Sequence, residues 1–75
     1  MTVLVFGQLE DITGSSVITL GKVADTELLL SALHAQYPAM KQKKMLIAVD
    51  QKIIYEKTEI GEQAQVALLP PFSGG

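Results

Sequence analysis

The chain has 75 residues and a formal charge of −2, with 48% hydrophobic and 19% charged residues. That composition excludes a disordered chain, and the length makes a single domain that buries only about 60% of its unfolded surface. No cysteine is present, which excludes disulfides, zinc–thiolate sites and thiol nucleophiles, and every basic residue is lysine. Without arginine the planar clamps that grip phosphate are missing, so no nucleic-acid partner is expected.

Met1 runs directly into "TVLVF" with no basic n-region or small-residue cleavage site. No signal peptide is read there, and no apolar run approaches the roughly 20 residues of a membrane span. The expectation is a cytoplasmic protein with no membrane partner, which the lack of cysteine also suits. Residues 2–6 are apolar or β-branched and predict a strand covered on both faces. "DITGSS" has turn chemistry around Gly14, and "SVITL" (16–20) alternates as a second strand, which predicts a hairpin ended by Gly21.

A helix is predicted over 26–37. Asp25 or Thr26 offers a side-chain oxygen to cap it, and Glu27 places a negative charge in its first turn. Leu29, Leu30, Leu33 and Tyr37 recur at spacings of three and four, forming one apolar stripe, and Pro38 stops the helix. "AMKQKK" (39–44) reads as a loop or single turn. Its Lys41, Lys43 and Lys44 read as a solvated cluster, with docking of an acidic partner as the alternative.

"MLIAV" (45–49) is a third strand, and Gln51-Lys52 offers a weak turn before a short strand "IIY". Residues 56–63 form a polar connection interrupted by Ile60 and Gly61, and "AQVALL" (64–69) is the last strand, apolar enough to be central. The order is ββαβββ, or ββαββ without "IIY". An opening hairpin followed by a helix and more strands gives an α+β domain. With the first and last strands side by side at the sheet centre, the fold expected for residues 1–69 is the β-grasp, or ubiquitin-like, fold. It has a mixed sheet of four or five strands with one main helix packed on one face; residues 70–75 form an extended C-terminal tail.

Catalytic constellations are missing from the sequence. His34 is the only histidine and flanks the helical stripe, so it reads as structural, and no two-histidine metal site exists. Serines 15, 16, 31 and 73 have only this one histidine available for a triad. The acidic residues Glu10-Asp11, Glu56, Glu59 and Glu62 read as solvated turns, and no glycine-rich loop opens the helix. The chain is expected to catalyse nothing alone and to hold no permanent cofactor or metal.

The tail "PPFSGG" carries a different signal. Pro70 and Pro71 donate no backbone hydrogen bond and fix φ, which ends the strand and keeps the chain extended. From Pro70 to Gly75 the tail reaches about 20 Å. Gly74 and Gly75 lack Cβ and fit a narrow channel. What the tail delivers is the α-carboxylate of Gly75, a poor electrophile until activated as an acyl-adenylate. The bland alternative is a frayed terminus. Phe72 argues against it, since an aromatic ring left in water forgoes roughly 1.5–3 kcal/mol of burial.

"VLVFGQL" (3–9), "LIAVDQ" (46–51) and above all "VALLPPFSGG" (66–75) resemble the small, sulfur-carrier subunit of molybdopterin synthase. The resemblance covers the whole chain and implies a β-grasp fold with a defined chemistry. An activating enzyme related to ubiquitin activators adenylates Gly75 with ATP, and a persulfide donor converts it to a thiocarboxylate. The tail, from Pro70 through Pro71, Phe72, Ser73 and Gly74, then inserts into the synthase large subunit, where sulfur passes to cyclic pyranopterin monophosphate in molybdenum cofactor biosynthesis. The resemblance also implies a docking face at Phe6, Ile60 and Leu69, and a heterotetramer with two copies of each chain. Three departures stand out: Gln63-Ala64 in place of Gly-Asp, Asp50 in place of asparagine, and Glu10 where arginine is common. The thiamine-pathway sulfur carrier, a ubiquitin-like modifier joined to proteins through Gly75, and a plain interaction module are the other readings.

Overall fold

A computed structural model describes residues 1–71. Strand β1 (Thr2–Val5) is followed by a 3-10 turn at Gly7–Leu9, a short helix α1 (Glu10–Thr13) and strand β2 (Val17–Thr19). The main helix α2 (Thr26–Gln36) and a 3-10 segment, Pro38–Gln42, lead to strands β3 (Leu46–Val49), β4 (Lys52–Ile54) and β5 (Val66–Leu69). The five strands form one sheet in the order β2-β1-β5-β3-β4. β1 and β5 run parallel, with Val3 opposite Val66 and Val5 opposite Leu68, and the other pairs are antiparallel. This is the expected β-grasp fold, and the apolar β5 sits at the middle of the sheet.

Helix α2 begins where its capping chemistry dictates. Asp25 is extended and its Oδ1 accepts the Leu28 amide at 3.0 Å, satisfying a donor that the first turn leaves unpaired. Thr26, the alternative cap, is buried instead. Its hydroxyl accepts the Thr58 amide at 3.0 Å and its own amide donates to the Thr58 carbonyl, which ties the 56–63 connection to the helix. From the predicted stripe, Leu29 and Leu33 are wholly buried, while Leu30 and Tyr37 pack at the margin of the core. They meet Val3, Val5, Val66 and Leu68 in the hydrophobic cluster beneath the sheet. Each such side chain stabilises the fold by about 1.5–3 kcal/mol through burial.

Several elements differ from the sequence expectation. The turn around Gly14 is a full turn of helix, Glu10–Thr13, which Gly14 terminates at φ 76° with its amide on the Glu10 carbonyl. The β3–β4 turn falls on Asp50 and Gln51, at φ 52° and 70°, so Lys52 already belongs to β4. Positive φ at both central residues is the geometry whose twist matches a two-residue hairpin. The largest correction concerns β1. It is covered on one face only: Val3 and Val5 are buried, whereas Leu4 is half-buried and Phe6 exposed.

Candidate docking face and tail exit

Strand pairing aligns the apolar residues of the other sheet face, Ala48 among them being only 7% exposed. Leu4 stands opposite both Val17 and Ala67, and Ala48 stands opposite both Ala67 and Ile53. Directly paired residues share a face of a sheet, so Val17, Leu4, Ala67, Ala48 and Ile53 form an apolar row across all five strands, opposite the face that packs on α2. Leu69, paired with Leu46, lies one step further toward the β5 end and joins Phe6 around a shallow depression lined by Leu4, Ala67, Ala48 and Ile53 of the row, with Gln51 and Gln65 at its side. Phe6, Val17 and Ile53 are 45%, 46% and 36% exposed. Single exposed apolar residues are ordinary, but a contiguous patch of them marks a surface that meets a partner.

The tail leaves beside this patch. The Phe6 amide donates to the Leu68 carbonyl at 3.0 Å, extending the β1–β5 ladder to its last rung. The next residue, Gly7, turns at φ 62°, and Pro70 fills the space where a side chain would stand. A Cβ on Gly7 would lie 2.8 Å from Pro70 Cγ and 3.2 Å from Cδ. Glycine permits both this backbone angle and this approach. Pro70 is half-buried and Pro71 exposed, so the chain turns outward at a fixed point next to Phe6 and Leu69. Phe72, Ser73, Gly74 and Gly75, named above as inserting and reacting residues, lie outside the described residues.

Of the three docking residues expected from the resemblance, the structure brings Phe6 and Leu69 together and separates Ile60 from them. Ile60 is 8% exposed and belongs to the core cluster, held by its amide on the Ala24 carbonyl at 2.9 Å. A side chain so placed packs within the domain. The sequence reading missed Leu4, Val17, Ala48, Ile53 and Ala67. Alternation inside the apolar runs was their one signal, and reading β1 as covered on both faces concealed it.

Among the described residues no group of three His, Cys, Asp or Glu side chains is placed to hold a metal ion, and no buried polar side-chain atom lacks a partner. His34 is half-buried on α2. The ion pair found among them, Lys57 to Asp25, is long at 3.9 Å and sits at the start of α2. Among the described residues no helix is long and apolar enough to cross a membrane. The described body therefore offers an apolar face and an exit for the chain.

A β-grasp body with an open apolar sheet face and a proline-guided exit from its central strand defines a ubiquitin-like domain. The ThiS family model matches residues 3–75, and the chain belongs to that family of small ubiquitin-like sulfur-carrier domains. Domains of this kind are not catalytic by themselves. Its backbone is similar to the crystal structure of SAMP1 from Haloferax volcanii, with a TM-score of 0.79 over 99% of this chain and 97% of that one. At 20% identity that likeness concerns the fold.

Proposed function

We propose that this domain is the sulfur-carrying subunit of a molybdopterin synthase, with Gly75 as the terminal residue of its working form. The observation that carries the reading is the exit at Pro70: a central strand ends in Pro70-Pro71 beside an exposed apolar face, and the sequence continues Phe-Ser-Gly-Gly. In the proposed cycle a ubiquitin-activator-like enzyme joins the Gly75 carboxylate to AMP from ATP and releases pyrophosphate. The terminal sulfur of a persulfide donor displaces AMP, and a second thiol cleaves the resulting acyl disulfide to leave a thiocarboxylate. The loaded tail then enters the large subunit and gives its sulfur to cyclic pyranopterin monophosphate.

This chain's part is to dock and to present. The apolar face around Phe6 and Leu69 seats the partner, the prolines end the strand and direct the tail away from it, six residues span at most about 20 Å, and two glycines pass a narrow channel. Each catalytic group and each ATP belongs to a partner. Incubation with ATP, a molybdopterin-branch activating enzyme and a sulfur donor should raise the mass of the chain by the difference between sulfur and oxygen. An unchanged mass, under conditions that load a known carrier, overturns the proposal.

The family match is equally compatible with a second reading, the thiamine-pathway carrier. It shares the adenylation and loading steps and differs in the acceptor. Capture of a molybdopterin synthase large subunit, in a complex with two of each chain, decides for the first.

A further inference from the structure

Sheet topology places opposite charges on the two sides of the tail exit. β5 lies between β1 and β3, and its last residue, Leu69, pairs with Leu46, the first residue of β3. Lys44 is two residues before Leu46, and Pro71 is two residues after Leu69. The segment carrying Lys41, Lys43 and Lys44 therefore reaches the sheet at the end from which the tail departs. All three lysines are exposed, and among the described residues none makes an ion pair. On the other side, β1 runs parallel to β5, so the 3-10 turn and α1 that follow it bring Glu10 and Asp11 to the same end. The remaining lysines lie outside this segment. Lys22 follows β2 and Lys52 opens β4, both at the opposite end of the sheet; Lys57, beyond the end of β4, shares a depression with Met45 and Leu46 and reaches toward Asp25 at the start of α2.

In a chain of charge −2, half the positive charge is thus gathered on one side of one exit. Charges at the rim of an apolar contact steer encounter and set orientation more than they add affinity. We infer that Lys41, Lys43 and Lys44 form a docking flank for an acidic surface beside the pocket that accepts the tail, on the activating enzyme of the proposed cycle. This rests on the carrier function proposed above. Acid on one side of the exit and base on the other make the approach directional: the enzyme's acidic rim is drawn to the β3 side and repelled from the α1 side. The tail then enters in one rotational setting.

The six lysines divide into two sets of three, which supplies a matched control. In one variant Lys41→Glu, Lys43→Glu and Lys44→Glu are combined; in the other Lys22→Glu, Lys52→Glu and Lys57→Glu, giving the same net charge. Steady-state adenylation by an enzyme that loads the wild-type chain is measured at low and high salt. The first variant is expected to raise KM about tenfold at low salt with kcat unchanged, and to lose the salt dependence of the wild type. The control is expected to change KM less than threefold. Equal effects of the two variants, or a loss of kcat with KM unchanged, overturn the inference. Failure of the wild type to be loaded at all refutes the carrier function instead. Thermal unfolding of both variants checks that the body is intact.

Discussion

Asp50 and Gln65 hold each other twice where the end of β3 meets the start of β5. The Asp50 amide donates to the Gln65 carbonyl at 2.8 Å, and the Gln65 amide donates to Asp50 Oδ1 at 2.9 Å. The aspartate thus fastens the approach to β5 onto the end of β3 while occupying a left-handed angle, φ 52°, that short polar side chains tolerate. Asparagine presents the same Oδ1 acceptor, so the departure from the family pattern leaves this link intact. Asp50→Asn should change unfolding free energy by less than about 0.5 kcal/mol, and Asp50→Ala should cost about 1–2 kcal/mol. Urea denaturation of the three proteins measures both.

Gly7 and Pro70 make a steric prediction. Gly7→Ala forces a Cβ to within 2.8 Å of the Pro70 ring at a backbone angle unfavourable to alanine. The expected cost is about 1–3 kcal/mol. Adding Pro70→Ala removes Cγ and Cδ and should restore the steric share of that loss, leaving the backbone share. A double-mutant cycle by thermal unfolding reads the difference. Strictly additive effects would mean that the two residues do not touch.

Leu33 is wholly buried between α2 and the sheet. Leu33→Ala should destabilise the domain by about 2–5 kcal/mol, a large share of what so small a core provides. Ile60→Ala should also lower stability, by the loss of a core side chain. Equilibrium unfolding tests both, and an Ile60→Ala variant of unaltered stability would return that residue to the surface.

The open face predicts the reverse behaviour. Phe6→Asp and Ile53→Asp alter exposed positions and should shift unfolding free energy by less than about 1 kcal/mol. In the proposed function Phe6→Asp weakens capture of the large subunit at least tenfold, because a charge at the centre of an apolar contact is left without a partner. Titration calorimetry with the large subunit measures it, and unchanged affinity would remove Phe6 from the interface.

The fold was readable in the sequence where local chemistry and tertiary packing agree. Asp25, the spacing of Leu29 and Leu33, and Pro38 locate α2 almost to the residue. The apolar character of β5 places it centrally. Charge and turn signals were weaker guides: Glu10–Thr13 formed helix because the sheet brings the ends of β1 and β2 together and a short helix spans the gap. The docking face was half legible. Apolar runs such as "TVLVF" do not reveal whether one face or two is covered, and that depends on how many helices the chain supplies. Here α2 shields one side. Ile60, expected at the docking face from its position in a family pattern, is 8% exposed here, and burial is set by packing that such a pattern does not report.

β5 is drawn from positions 66–69 yet fills the gap between two hairpins, β1–β2 and β3–β4. Without it the sheet falls into pairs of strands, which are marginally stable alone in water. The segment that anchors the exit is therefore also the keystone of the body. Loosening of that anchor and collapse of the sheet are one cooperative event, so a partner that grips the folded surface also meets a tail that is firmly rooted.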